Sequence, residues 1–288
     1  MSSVLCVGIA TLDIVNEVDA YPAEDAEVRA LAQHIRRGGN AANNAVVLAQ
    51  QGHRVAWLGN LADDLNADLI KADLARYQVN YPQAPVIARS ATPTSYIAQS
   101  RRTGSRTIVH YRNLPELMLA HASAAWQDYD WVHFEGRNES VTLMQLQQIH
   151  ALDCSHRPKV SIEIEKVRER ECELIAFADV VFFSRDYVRK QGCSSASEFT
   201  AGLSIQADQL VVIPWGEEGA YAYTSKDTFF APAVANVQVV DSIGAGDCFI
   251  AAFIHAQLQN TDLLNSLQMA NQLTARKLAQ QGFDNLTI

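Results

Sequence analysis

Two common phosphate-binding signatures are missing from this chain of 288 residues. No Gly-Lys-Ser or Gly-Lys-Thr triplet occurs, which excludes a P-loop. No G-x-G-x-x-G occurs either, which excludes the dinucleotide fingerprint. Long apolar runs are also absent: Val4 to Ala10 and Val180 to Phe183 fall far below the ~18 residues of a membrane-spanning helix. The opening "MSSVLCVGIATLD" has no basic segment ahead of its apolar run, so no signal peptide is expected. Cysteine is sparse: Cys6, Cys154, Cys172, Cys193 and Cys248 are odd in number and show no C-x-x-C spacing. That argues against a disulfide framework or a zinc site, and for reduced thiols in a cytoplasmic protein. Basic residues are outnumbered, 23 against 32 acidic, for a formal charge of -9. Non-specific binding to nucleic acid or an anionic membrane is not expected of such a chain. An anionic small ligand remains allowed if its site is built locally from backbone N–H groups and a few Arg or Lys.

What the chain does have is 48% hydrophobic residues, ample for a sizeable core, with no repeat and no polar linker. It reads as one unit over residues 1–288. "VLCVGIA" predicts a buried strand, and "VNEV" and "EVRALAQHI" alternate as half-exposed strands do. A helix is predicted after Gly38-Gly39, with Asn40 as its cap and Gly52 as its end. "DDLNADLIKADLARY" has helical spacing at Leu65, Leu69, Ile70, Leu74 and Tyr77. "SYIAQSRRTGSRTIVHYR" alternates on both sides of a turn and predicts a hairpin. From Trp131 onward, short β-branched runs alternate with helical segments, one of them with apolar positions at Val141, Met144, Leu146 and Ile149. The fold class expected is α/β, a doubly wound and mostly parallel sheet flanked by helices. The half-exposed pieces, about 13–36 and 94–112, break that rhythm and predict a small β-layer drawn from two separated segments.

Four places can carry chemistry. "DSIGAGD" has Gly244, Ala245, Gly246 and Asp247 between a predicted strand, "VQVV", and a predicted helix. Such a turn presents N–H groups to a phosphoryl group, but it also fits a tight turn with Asp247 as an N-cap. In "RGGNAANNA", Asn40 and Asn43 lie three apart on one helix face, where amides suit sugar hydroxyls; a merely polar first turn fits equally. Asp13 follows the first strand and also reads as a turn residue. "PWGEEGAYAY" places Gly216, Glu217, Glu218 and Gly219 at a strand end, as a hairpin turn would. Arg106 sits in the predicted hairpin, where a lone arginine is usually solvated.

Together and in this order, these features resemble the ribokinase-like (PfkB) carbohydrate kinases. "GGNAANNA" and "DSIGAGD" are the general marks. "YPAED", "SRTIVH", "HFEGRN", "IEIEKVRE" and "WGEEGA" are similar to the ketohexokinase branch. The resemblance implies an ATP-dependent phosphotransferase acting on a ketohexose, with fructose to fructose 1-phosphate as the sharpest form. Another small sugar, a nucleoside, or a silent sugar-binding regulator are the alternatives. It implies Asp247 as general base and the N–H groups of Gly244 to Gly246 as an anion hole. Asp13, Gly39, Asn40 and Asn43 match sugar-binding positions. Arg106 and the loop Gly216, Glu217, Glu218, Gly219 match nucleotide-binding ones. The small β-layer matches a lid that also clasps a second copy, which implies a homodimer. Mg2+ is implied with ATP, and a monovalent cation such as K+ is a further candidate, with Asp241 near it. The family's N-x-x-E motif is replaced here by Ser184-Arg185-Asp186-Tyr187, so no metal ligand is assigned; Glu165 and Lys166 are candidates for the metal shell and a phosphate contact.

Overall fold

The computed structural model describes residues 1–118 and 124–288. Strand β1 (Ser3–Val7) is buried along its whole length, as a central parallel strand must be. Strands β2 (Thr11–Val18) and β3 (Ala32–Gly38) precede helix α1 (Asn40–Gln50), β4 (Arg54–Leu58) and the short β5 (Leu61–Ala62). Next come α2 (Leu65–Arg76), β6 (Val86–Ile87), β7 (Thr94–Ser100) and β8 (Arg106–Tyr111). The chain then alternates through β9 (Trp131–Phe134), α3 (Glu139–His150), β10 (Lys159–Ile164), α4 (Glu171–Ile175) and β11 (Val180–Phe183). Helices α5 (Arg185–Lys190) and α6 (Ala196–Ala201) lead to β12 (Leu210–Pro214), β13 (Gly219–Tyr223) and β14 (Thr228–Pro232). Two long helices close the chain, α7 (Ala245–Leu258) and α8 (Leu263–Leu278).

Eight strands form the main sheet in the order β14-β13-β12-β11-β10-β9-β1-β4. Neighbours from β4 to β12 are parallel, and β13 and β14 return antiparallel. Successive side chains of β1 face opposite ways and enter two separate cores. Val4 and Cys6 pack with α1, α2, α7 and α8; Leu5 and Val7 pack with α3 to α6. Helix α7 is buried from Asp247 through Ile254, so it has no solvent face over that stretch. Phe253 meets Phe182 of the sheet edge-on, with ring centres 5.7 Å apart. The small sheet is real and runs β3-β2-β7-β8, with β2 and β7 parallel, Asp13 opposite Ser95, although the chain between them passes through α1 and α2.

Several expectations are corrected. "VQVV" is no strand. Val240 and Asp241 are tethered through their N–H groups to Leu278 O, at 2.7 and 3.2 Å, so α8 rather than the sheet guides the chain into the turn. Asn40 is the first helical residue and not the cap; Gly39 takes the cap position. Asp247 is likewise no cap, because Gly244 holds that place and Asp247 lies within the first turn. The strand read at "EVRALAQHI" begins only at Ala32. Leu65 and Leu69 are exposed, and on α3 Leu143 rather than Met144 faces inward. Asp13 sits within β2 and not in a turn.

One buried ion cluster joins β3 and α8 to the segment ahead of α7. Asp241 has no exposed side-chain surface and accepts from Arg36 of β3 at 2.7 and 3.2 Å and from Lys277 of α8 at 3.0 Å. It also accepts from the N–H groups of Ile243 (3.0 Å) and Gly282 (3.1 Å). Burial raises its pKa, but the Arg36 hydrogen bonds and the two cations outweigh burial and hold it at about 2. Because the folded value lies below the ordinary 3.8, this contribution is complete above that pH and is lost as pH falls toward about 2. Asp241→Asn leaves Arg36 and Lys277 facing each other without a counter-charge. It is expected to cost about 3–5 kcal/mol, read as a lower urea midpoint at neutral pH.

Candidate active site

All the candidate groups collect where the parallel strands end, the edge at which open α/β sheets bind ligands. β3 ends at Gly38, and the chain must turn at once into α1 against the exit of β1. Gly39 makes that turn at φ 93°, and a Cβ there would stand 2.4 Å from Ile9 O. Only glycine fits. Gly38 is equally confined, by the Asp13 carboxylate, which in turn accepts from Thr11 Oγ1 at 3.0 Å. The exit of β1 is clamped to α1 by Glu135, at the end of β9, whose Oε2 accepts from Ile9 N at 2.8 Å and Ala41 N at 3.4 Å.

Asn43 then reaches across to α7. Its Nδ2 donates to Asp247 Oδ2 at 2.5 Å, and its Oδ1 accepts from Arg37 Nη1. A guanidinium has no acceptor, so Arg37 fixes which end of the amide faces the carboxylate. Arg37 is itself anchored to Asp73 of α2 at 2.7 Å. Asn40, on the same helix turn, donates to Glu163 Oε2 of β10 at 3.1 Å. Burial pushes the Asp247 carboxyl up to about 7; the Asn43 hydrogen bond and Arg37 pull it down, while Glu165 and Glu135 push it further up. A buried carboxylate held near neutrality has the basicity that proton abstraction at that pH requires.

The glycine turn stands beside this carboxylate. Gly244 is left-handed, φ 77°, and a Cβ on it would strike the Phe283 ring. Cys248 N is bonded to Gly244 O at 3.0 Å, while nothing stands over Gly246. Ala245 N makes a long bond of 3.4 Å to Ser242 O, which leaves the N–H of Gly246 without a hydrogen-bond partner among the described residues at the helix start, where an anion is favoured. Arg106 of β8 is exposed, yet its Nη1 donates to Ser242 Oγ at 3.0 Å, which brings it to the turn. Gly216 to Glu218 form one 3-10 turn after β12, and Arg185 Nη1 donates to Glu217 Oε2 at 2.9 Å. The departure at 184–187 thus has a local role: Ser184 caps α5 and Arg185 props the 216–219 turn. Glu165 and Lys166 are exposed at the end of β10, and Asp241 is enclosed in its ion cluster. No group of three or more His, Cys, Asp or Glu among the described residues is arranged to hold a metal ion.

Glu163, Glu135 and Arg37 were not singled out from the sequence. Their signal was an acid or base inside a run that otherwise reads as buried, "SIEIE", "HFEG" and "RRGG".

The model of the pfkB family carbohydrate kinases matches residues 1–286. The chain belongs to the pfkB family. As a pfkB carbohydrate kinase it is a phosphotransferase with an alcohol acceptor. It is 35% identical to the ketohexokinase of Mus musculus, over 98% of each chain. It is 25% identical to an ATP-dependent ribose-1-phosphate kinase of Halopiger xanaduensis, covering 98% of this chain and 94% of that one. Its fold is that of Arabidopsis thaliana ribokinase, solved with ribose and ATP, at a TM-score of 0.79, 19% identity and coverage of 98% and 94%. No helix among the described residues is long and apolar enough to cross a membrane.

In a carbon-13 NMR titration Asp247 is expected to lose its proton at about pH 7, and Asn43→Ala is expected to raise that value. An Asp247 carboxyl that titrates in the ordinary range would contradict the geometry.

Proposed function

We propose that this pfkB kinase transfers the γ-phosphoryl group of ATP to a ketohexose, most sharply fructose to fructose 1-phosphate. The observation that carries the reading is Asp247, buried, aimed by Asn43, and set beside the open N-terminus of α7. The ketohexose is supported by the likeness to ketohexokinase over nearly the whole of both chains. Asp247 takes the proton from the attacking sugar hydroxyl. The N–H groups from Gly244 to Gly246 hold the charge on the phosphoryl group in transfer, and ADP leaves. Asp13, Gly39, Asn40 and Asn43 position the sugar. Arg106 and the turn from Gly216 to Gly219 hold the nucleotide. Mg2+ supplies neutralisation of phosphate charge when bound. Glu165, exposed at the end of β10, would be the residue to approach it, with Lys166 beside it toward the phosphates. Asp241 already carries an ammonium and a guanidinium, so the reading does not place K+ there. Five free thiols agree with a cytoplasmic enzyme.

The small sheet serves as the lid of this single unit, and its outer face as a dimer clasp. The pairing register sets Ile35, Ile14, Tyr96 and Val109 side by side across all four strands. Ile35, Tyr96 and Val109 are 55%, 49% and 66% exposed. An apolar row of that kind on a sheet face suits burial against a second copy.

With Mg-ATP and a panel of sugars, ketose-dependent ADP release is expected, with the product position read by NMR. Turnover with another sugar or a nucleoside alone would replace the ketohexose, and tight sugar binding without turnover would make the protein a regulator. Asp247→Asn should lower turnover about 10²-fold or more while sparing sugar affinity. Sedimentation should give a dimer for the natural chain and a monomer for Tyr96→Asp with Val109→Asp. A monomeric natural chain would remove the clasp.

A further inference from the structure

The pairing register of the small sheet sets Arg36, Asp13, Ser95 and His110 side by side, one from each strand. Partners in such a row point to one face. Here it is the inner face, because Arg36 reaches Asp241 and Asp13 lies against Gly38. His110 ends the row on the edge strand β8, with its Nδ1 3.2 Å from Ser95 Oγ. Asp13 and Ser95 are buried, but His110 is exposed. An inward side chain that keeps solvent around it faces open space and not core. Its Nε2 has no hydrogen-bond partner among the described residues.

The chain is pinned on both sides of this histidine. Arg106 donates to Ser242, just ahead of the glycine turn. Arg112, the residue after β8, is bonded to Glu116, which accepts from Arg137 at 3.1 Å. Arg137 in turn donates at 3.2 Å to Glu135, the residue that holds Ile9 N and Ala41 N. One anchor thus reaches the phosphoryl side of the candidate site, and the other the floor from which Gly39 and Asn40 rise. Strand alternation leaves Ile108 and His110 on the inner face between them. Ile108 stands opposite Ile97, which packs on Ile243. His110 is therefore the polar group that β8 holds out on the side of Asp13.

We propose that His110 is a specificity-determining residue: its Nε2 hydrogen-bonds a sugar hydroxyl other than the one that faces Asp247. An imidazole nitrogen donates or accepts according to its tautomer, so a hydroxyl suits it either way. Asp247 is tied to α1 through Asn43, whereas His110 arrives from the small sheet, so the two groups meet the acceptor from different elements. His110 binds and takes no part in proton transfer. The inference rests on the sugar-kinase reading, but not on which sugar is the substrate.

The test uses the best acceptor of the sugar panel and its monodeoxy analogues, with initial rates at saturating Mg-ATP. His110→Ala should raise the sugar KM about 10-fold, with kcat changed by less than about 3-fold and the KM for Mg-ATP unmoved. His110→Gln, which keeps a hydrogen-bonding group there, should recover most of that loss. For one monodeoxy analogue the penalty of His110→Ala should shrink below about 2-fold, because that analogue lacks the partner hydroxyl. A penalty of the same size for every analogue overturns the contact. So does an equal rise in the KM for Mg-ATP, since both describe a sheet disturbed as a whole. Thermal unfolding should be unchanged in both variants, as befits an exposed edge residue. If the natural chain phosphorylates no sugar, the kinase reading fails and takes this inference with it. If it phosphorylates one and His110→Ala matches it, only this inference fails.

Discussion

The hydrogen bond from Asn43 to Asp247 is the constraint on which the site depends. It spans two helices that meet at their N-terminal ends, and it exists only because those helices approach closely. Ala41, Ala42 and Ala45 on α1 are fully buried in the core that α7 enters with Phe249 and Ile250. Small side chains on one helix against large ones on the other set the separation at which an asparagine amide spans the gap. Arg37 fixes the amide's direction, and α2 fixes Arg37 through Asp73. The chemistry of one carboxylate is thus set by packing among three helices and by the end of a strand.

The small sheet is wired to the same place from another side. Arg36 of β3 grips Asp241 and Arg106 of β8 touches Ser242, so two of its strands hold successive residues just ahead of the glycine turn. Val15 and Ile97 of its inner face pack with Ile243, the next residue along. A movement of this sheet therefore cannot leave the turn unaffected. Interfaces of this kind tend to switch between discrete arrangements rather than deform gradually.

Much of this was legible in the sequence, and the parts that were not have physical reasons. The strand-helix rhythm after Trp131 and the two segments of the small sheet follow from periodicity, which burial enforces residue by residue. Gly39, Asn43 and Asp247 stand out because glycine pairs and amides at a helix start are uncommon without a geometric cause. "VQVV" misled because β-branched residues favour extended chain whether or not a partner strand exists, and here the N–H of Val240 goes to Leu278 O of α8 and not to a strand. Asn40 misled because a good capping residue was displaced one position by the φ that only its glycine neighbour adopts. Glu163 was invisible as a site residue because strand alternation says which side a residue faces, not that Asn40 of α1 reaches across to it.

Lys277 gives the ion cluster a further consequence. It lies near the end of α8, and Phe283 and Gly282 beyond it complete the seat of the glycine turn. During synthesis, the strands, the amides of α1 and Asp247 itself all emerge before the residues that lock the turn in place. A nascent chain can assemble its sheet and most of its core while Asp241 still lacks one of its two cations and Gly244 still lacks the ring that confines it. The seat of the glycine turn is thus completed only by residues 277–283, which follow in the chain the helix that they hold.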